Sequence, residues 1–259
     1  MRGNAAVGRS LRAPGRGPDI HPPAATALVT MDAMNGRIAG GGDPLLILAS
    51  ASPRRRQILS GSWRGRLSVS ASGIEEDSPE AGEAPASYAV RIAAAKCRAV
   101  AGESAAGLVI AADTVVELNG VIMGKPSSAD EARDMLVALR GRDHSVTTGL
   151  AVASPWLAEL VLGHETSIVR MRHYTSEEIE AYIASGEPFD KAGRYAVQDI
   201  RLAPAERVRG CYLNVVGLPL CELSRLVAHA GPGLDRMLRP GECASCLPTA
   251  GLKDKVAAT

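Results

Sequence analysis

The most chemically loaded stretch of the chain is Ser50-Ala51-Ser52-Pro53-Arg54-Arg55-Arg56, which follows the apolar run Leu45–Ala49. Serine is a favoured N-cap and proline suits the first helical position, so Ser52-Pro53 predicts a helix start. Unpaired backbone N–H groups and the positive end of the helix dipole face outward there, which makes an anion site. Ser50 and Ser52 add hydroxyls. Arginine at this end opposes the dipole by roughly a few tenths of a kcal/mol. Three in a row make sense around an anion, and phosphate is the natural one. A solvated basic face is the competing reading.

A second candidate is the segment Val109-Ile110-Ala111-Ala112-Asp113-Thr114. The apolar run predicts a strand over 108–112 that ends in a carboxylate. Ligands of open α/β sheets bind at the carboxyl ends of strands. An aspartate there can hold a divalent cation or take a proton from water. A turn or helix cap fits the same residues equally well. Glu75-Glu76-Asp77 is an acidic run in a loop, by itself more in keeping with solvated surface. Lys96 in a helix, Lys125 in Gly-Lys-Pro and Lys191 in Asp-Lys-Ala-Gly are cations at punctuated positions. Lysine makes point-charge contacts to phosphate, though each one alone reads as a surface residue. His144, His164, His173 and His229 show no metal spacing. Gly-x-Ser-x-Gly and Walker motifs do not occur, so a covalent serine hydrolase and a P-loop enzyme have no support.

These residues need elements to position them. Two apolar runs, Leu45–Ala49 and Leu108–Ala112, predict buried strands. Asn119-Gly120, between Val115–Glu117 and Val121–Met123, predicts a hairpin. Ala86–Ala101 predicts a helix. Ser128–Arg140 is the clearest helix: Ser128 and Glu131 form a capping box, Gly141 suits the C-terminal cap, and Ala132, Met135, Leu136 and Leu139 make one stripe. Strands are predicted over 146–153 and 167–172. Thr175 and Glu178 open a further helix ending near Gly186, and Pro219 starts one running to about His229. Alternating strands and helices make the class α/β.

The chain has 259 residues and a formal net charge of +1. One large or two small domains fit that length. No global field recruits nucleic acid or anionic lipid. Aromatics are 3% of the chain, which leaves few stacking platforms for single strands. No apolar run reaches the ~20 residues of a membrane helix, and the N-terminus lacks a secretory pattern. Cys97, Cys211, Cys221, Cys243 and Cys246 read as reduced thiols of a cytoplasmic protein. The lone Cys243-x-x-Cys246 pair lacks the partners of a zinc site. Residues 1–43, rich in Gly, Ala, Pro and Arg, read as a disordered extension. Met31 and Met34 offer later starts. Residues 44–229 form the patterned domain, and 230–259 read as a loose tail.

Taken together the segments resemble the Maf family of nucleotide pyrophosphatases. The resemblance rests on L-A-S-A-S-P-R-R at 48–55, Y-A-V-R-I-A-A-A-K at 88–96, A-A-D-T-V-V at 111–116 and G-K-P at 124–126. D-K-A-G-R-Y-A-V-Q at 190–198 and N-V-V-G-L-P-L at 214–220 complete it. Each motif is weak alone, and six in order are specific. The resemblance implies a mixed twisted sheet flanked by helices, with a central cleft, similar to the inosine triphosphate pyrophosphatases. It implies Mg²⁺- or Mn²⁺-dependent hydrolysis of a nucleoside triphosphate between the α- and β-phosphates. By the same resemblance Asp113 is the catalytic acidic residue and, with Glu76, a metal ligand. Ser50, Arg54, Lys96, Lys125 and Lys191 surround the phosphates. Arg54, Thr114 and Gln198 match the dTTP/UTP type rather than the 7-methyl-GTP type. A glutamine amide and an arginine suit the acceptor–donor–acceptor edge of uracil or thymine. Asp199 departs from the usual glycine after Gln198, which bears on base choice more than on reaction type. A homodimer is compatible with the resemblance. A nucleic-acid-binding regulator of cell division is the competing class, and the near-neutral charge and scarce aromatics count against it.

Overall fold

The computed structural model describes residues 31–32, 37–38, 45–102, 107–185, 203–231 and 233–239. Met31–Asp32 (β1) and Arg37–Ile38 (β2) pair antiparallel, a two-residue ladder inside the stretch expected to be disordered. The remaining strands form one mixed sheet of seven. They are Leu45–Leu48 (β3), Arg66–Val69 (β4), Leu108–Leu118 (β5), Val121–Met123 (β6), Asp143–Ala153 (β7), Val161–Met171 (β8) and Ala205–Arg209 (β9). The order is β4-β3-β5-β7-β8-β9, with β6 on β5. β3 runs parallel to β4 and β5, and the other pairs are antiparallel. The fold class is therefore mixed α/β, as the alternation of elements implied.

The helices are Pro53–Ser62 (α1), Pro85–Ala101 (α2), Ala129–Leu139 (α3), Ser176–Ala184 (α4), Tyr212–Val216 (α5) and Leu220–Ala230 (α6), followed by a 3-10 turn at Leu234–Met237. Ser52 caps α1, its hydroxyl accepting from Arg55 N–H, with Pro53 in the first turn. Thr175 and Glu178 make the expected capping box on α4. At α3 the box is displaced: Ser128 accepts from Glu131 N–H, while the Glu131 carboxylate accepts from Ser127 N–H and Oγ–H.

Period-two alternation sorts the core onto two faces of the sheet. On one face Ile47, Val109, Ala111 and Ala151 meet Ala93, Ala94, Cys97 and Val100 of α2. On the other, Leu46, Leu48, Leu108, Ile110, Ala112, Leu150 and Val152 pack under α1 and α6. Further along that second face Val116, Leu118, Val146, Val169 and Met171 pack under α3 and α4. The two apolar clusters of that face are separated by a polar belt. Thr114 pairs with Thr148, and Thr148 with Glu165, directly across β5, β7 and β8. This belt lies between the two clusters on that face of the sheet.

His144 of β7 lies opposite Val169 of β8 and is 3% exposed. Burial pushes its pKa from 6.5 down to about 4, against the pull of Asp143 and Glu117. Below pH 6.5 the unfolded chain takes up a proton that the folded chain refuses. The stability is thus fully present above 6.5 and is lost as pH falls towards 4. Going from pH 7.5 to 5.5 is expected to cost about 1 kcal/mol through this group. Urea unfolding at the two pH values checks it, with His144→Gln losing that part of the difference.

Candidate functional site

The carboxyl end of β3 opens the site. β3 stops at Leu48, opposite Ile110, while β5 continues to Leu118. Asp113 therefore does not end a strand, as the sequence implied. It sits in the middle of an eleven-residue one. The strand continues because β7 pairs with it at Asp113↔Gly149 and Thr114↔Thr148. What ends near Asp113 is its parallel neighbour, and that still leaves a crevice at a strand's carboxyl end.

Asp113 faces α2. Gly149 beside it has no side chain, and a β-carbon there would collide with the backbone of Ala89 and Val90. This close approach lays α2 on the sheet. Two turns on from Ala89, α2 delivers Lys96, which is 8% exposed. Its Nζ donates to Asp113 Oδ1 at 2.7 Å and ion-pairs with Glu76 Oε1 at 2.6 Å. Lys125 Nζ stands 3.8 Å from Glu76 Oε2. Burial pushes the Glu76 pKa up, but the Lys96 hydrogen bond and the charges of Lys96, Lys125 and Arg55 outweigh it, leaving the group below its usual value.

The loop bearing Glu76 is tied to α2 as well. Tyr88 Oη–H donates to Asp77 O at 3.0 Å, and Arg91 bonds Glu83 twice and the Ser78 carbonyl once. An acidic run that reads as solvated surface is thereby split. Glu76 turns in to the lysines, while Asp77 remains outside with 88% of its side chain exposed.

Thr114 points to the opposite face, where α1 supplies Arg55. Arg55 Nε donates to Gly217 O at 2.9 Å, Nη1 to Ser50 Oγ at 3.2 Å and Nη2 to Thr114 Oγ1 at 3.1 Å. Gly217 ends α5 at φ 119°, a conformation that favours glycine. Burial pushes the Arg55 pKa down, and the Asp113 and Glu76 charges oppose the push. All three acceptors are neutral, and among the described residues Arg55 has no ion pair. A guanidinium so placed stays charged and attracts an anion. Ser50 Oγ accepts from Ser52 N–H at 3.2 Å as well as from Arg55. Both of its lone pairs are used, so its proton is left to donate.

The structure thus gathers Ser50, Glu76, Lys96, Asp113, Thr114 and Lys125. Arg54 is half-buried beside them, with no hydrogen bond among the described residues. Lys191, Gln198 and Asp199 lie outside the described residues. Arg55 was singled out only as one of three adjacent cations. Thr148 was missed, and Asn214 entered only as the first residue of the 214–220 motif, with no role, although it stands out as a lone amide in Leu213-Asn214-Val215-Val216. An open cavity of about 330 Å³ adjoins Ser50 and is lined by Ser52, Arg56, Gln57, Ser60 and Val69.

Glu76 and Asp113 share Lys96 Nζ through one oxygen each, and the second oxygen of each suits a hard cation such as Mg²⁺, which binds one or two carboxylates plus phosphate oxygens and waters. Among the described residues no group of three or more His, Cys, Asp or Glu is assembled. Glu76 and Asp113 therefore fit a metal whose shell the substrate completes, rather than an all-protein cage. No helix among the described residues is long and apolar enough to cross a membrane.

Residues 45–230 match the family model described as Maf-like protein. A dTTP/UTP pyrophosphatase of Dehalococcoides mccartyi is 43% identical over 206 residues, 78% of this chain and 91% of that one. A dTTP/UTP pyrophosphatase of Thermomicrobium roseum is 44% identical over 207 residues, 78% of this chain and 92% of that one. The crystal structure of a nucleoside-triphosphatase / dITP/XTP pyrophosphatase from Mycobacterium abscessus has a TM-score of 0.34 and 15% identity, covering 49% of this chain and 74% of that one. That likeness is too slight to bear on the fold.

Proposed function

The chain belongs to the Maf-like family, and from that premise we propose that it hydrolyses dTTP and UTP to the monophosphate and pyrophosphate. The observation that carries the reading is the pairing of opposites around the middle of β5, carboxylates on its α2 face and an unmatched guanidinium on its α1 face. Glu76 and Asp113 are gathered on Lys96 Nζ, and Arg55 stands near with its charge matched by no ion pair among the described residues. Carboxylates call for a metal or a proton, and the cations call for phosphate. A metal-bound polyphosphate supplies both. The substrate assignment rests on the names of the relatives, together with Arg54, Thr114 and Gln198.

In this mechanism Asp113 takes a proton from the water whose oxygen attacks the α-phosphorus. Lys96 occupies Oδ1, which leaves Oδ2 for that proton. The bond from the α-phosphorus to the bridging oxygen breaks, and its electron pair leaves with pyrophosphate. Arg55, Lys96, Lys125 and Lys191 hold the β- and γ-phosphates and stabilise the departing charge. Ser50, with only its proton free, donates to a phosphate oxygen. Mg²⁺ or Mn²⁺ held by Glu76 and Asp113 would polarise the α-phosphate and offset leaving-group charge. The catalytic unit is residues 44–229, and a cytoplasmic location belongs to the same reading.

The test is pyrophosphate release from dTTP, UTP, CTP, GTP, 7-methyl-GTP and ITP, with Mg²⁺ or Mn²⁺ and with chelator. Release from dTTP and UTP that stops on chelation is the expected result. Turnover of 7-methyl-GTP alone would keep the reaction and reverse the base assignment. No release from any of them would remove the enzymatic reading.

A further inference from the structure

Hydroxyl groups have one proton each, and in the polar belt that proton can be counted. Thr148 is fully buried, and its Oγ1 lies 3.0 Å from the Asn214 carbonyl. A carbonyl only accepts, so at this distance the proton between them belongs to Thr148. The same carbonyl also takes the Gly217 N–H at 3.0 Å, which its two lone pairs allow. Asn214 is itself clamped. Its Oδ1 accepts from Thr148 N–H at 3.0 Å, and its Nδ2 donates to Val146 O at 2.8 Å and Ser167 Oγ at 2.9 Å. Thr148 and Asn214 cannot exchange roles.

Thr114 Oγ1 lies 2.9 Å from Thr148 Oγ1. With the Thr148 proton committed to Asn214, Thr114 must be the donor of this bond. One lone pair of Thr114 accepts from Arg55 Nη2. What remains on Thr114, which is half-exposed between buried Asp113 and Val115, is a single lone pair.

We propose that Thr148 and Asn214 are positioning residues that make Thr114 an acceptor-only hydroxyl and so set the base preference of the site. The proposal rests on the dTTP/UTP reading above. The edge of uracil or thymine carries one donor, N3–H, between two carbonyl acceptors. An acceptor-only Thr114 can pair with N3–H and with nothing else on that edge. Cytosine presents a bare N3 lone pair at the same place. Two lone pairs then face each other, and a buried polar group is left unpaired. Discrimination against cytosine follows from residues that touch no substrate.

The experiment measures binding of the α,β-methylene analogues of UTP and CTP by calorimetry with Mg²⁺, so that base choice is read apart from hydrolysis. Thr148→Val removes the acceptor that takes the Thr114 proton. Thr114 can then turn and donate to cytosine N3. The UTP-to-CTP affinity ratio is expected to fall about tenfold, mainly through tighter CTP-analogue binding. Thr148→Ser keeps the hydroxyl and is expected to keep the ratio. Should Thr148→Val fail to fold, Thr148→Cys carries the same test, because a thiol is a weak acceptor. A folded Thr148→Val or Thr148→Cys protein with an unchanged ratio overturns the proposal. An unsubstituted protein that binds both analogues equally overturns the preference for uracil and thymine over cytosine, and this inference with it, while leaving the hydrolytic reaction itself to the pyrophosphate assay.

Discussion

Asp113→Asn is expected to lower kcat for pyrophosphate release about a thousandfold while leaving the fold in place, a size typical of losing a positioned general base. Asparagine has the same shape, and its Oδ1 can still accept from Lys96 Nζ, which stands 2.7 Å away. Lys96 also keeps Glu76 at 2.6 Å, so its charge is not stranded. What the substitution removes is the negative charge and the capacity of Oδ2 to take a proton. The melting temperature is expected to stay within a few degrees of the unsubstituted protein. Steady-state kinetics with dTTP, beside a thermal melt, separate the two effects. Near-normal kcat would take the base role from Asp113. A lost melt would mean that the Lys96 pair is structural first.

Ser50, the arginines and Asp113 were legible in the sequence because each stood beside a backbone signal, whereas Glu76, Lys96 and Lys125 took a role only from the family resemblance. Ser52-Pro53 announced the start of α1, and the apolar run before Asp113 announced β5. The extent of β5 was not legible. Apolar patterning breaks at Asp113-Thr114, and the hairpin signal at Asn119-Gly120 implied a separate short strand. The chain instead runs through as one strand, because partners from other elements satisfy the two polar side chains. Lys96 of α2 takes Asp113, and Arg55 and Thr148 take Thr114. β8 likewise begins six residues ahead of its predicted start. Gly163, His164, Glu165 and Thr166 hide an alternating strand with one open face.

The choice among Arg54, Arg55 and Arg56 lies further from any local signal. Successive helical residues point about 100° apart, so only one of the three can face Ser50 and Thr114. The partner that selects Arg55 includes a carbonyl 162 residues away. Asn214 posed the converse case. A lone amide in a run of apolar residues has to be hydrogen-bonded if it is buried. The sequence carried that demand, but only the tertiary structure names Thr148, Val146 and Ser167 as the groups that meet it.

The distance between α2 and the sheet decides whether Lys96 reaches Asp113 at all, which makes Gly149→Ala the most damaging small substitution outside the charged residues. The added β-carbon would strike the backbone of Ala89 and Val90, which has no rotamer by which to yield. Either α2 lifts or β7 bends. α2 is a single helix from Pro85 to Ala101, and its stripe of Ala89, Ile92, Ala93, Cys97 and Val100 is buried. Lifting one end opens that whole interface. The expected cost is about 3 kcal/mol or more, at the upper end of overpacking effects. Urea unfolding gives that number. The same displacement draws Lys96 from Asp113, so the fraction that stays folded is expected to lose activity as well. Gly107, where a β-carbon would strike the Leu45 carbonyl, supplies the comparison. It lies at the far end of β5 from Asp113, so Gly107→Ala is expected to cost stability while the folded fraction keeps its turnover. If Gly149→Ala proves as active per folded molecule as Gly107→Ala, the spacing of α2 is a matter of packing alone. If it is inactive while largely folded, the absent side chain at 149 is part of what assembles the site.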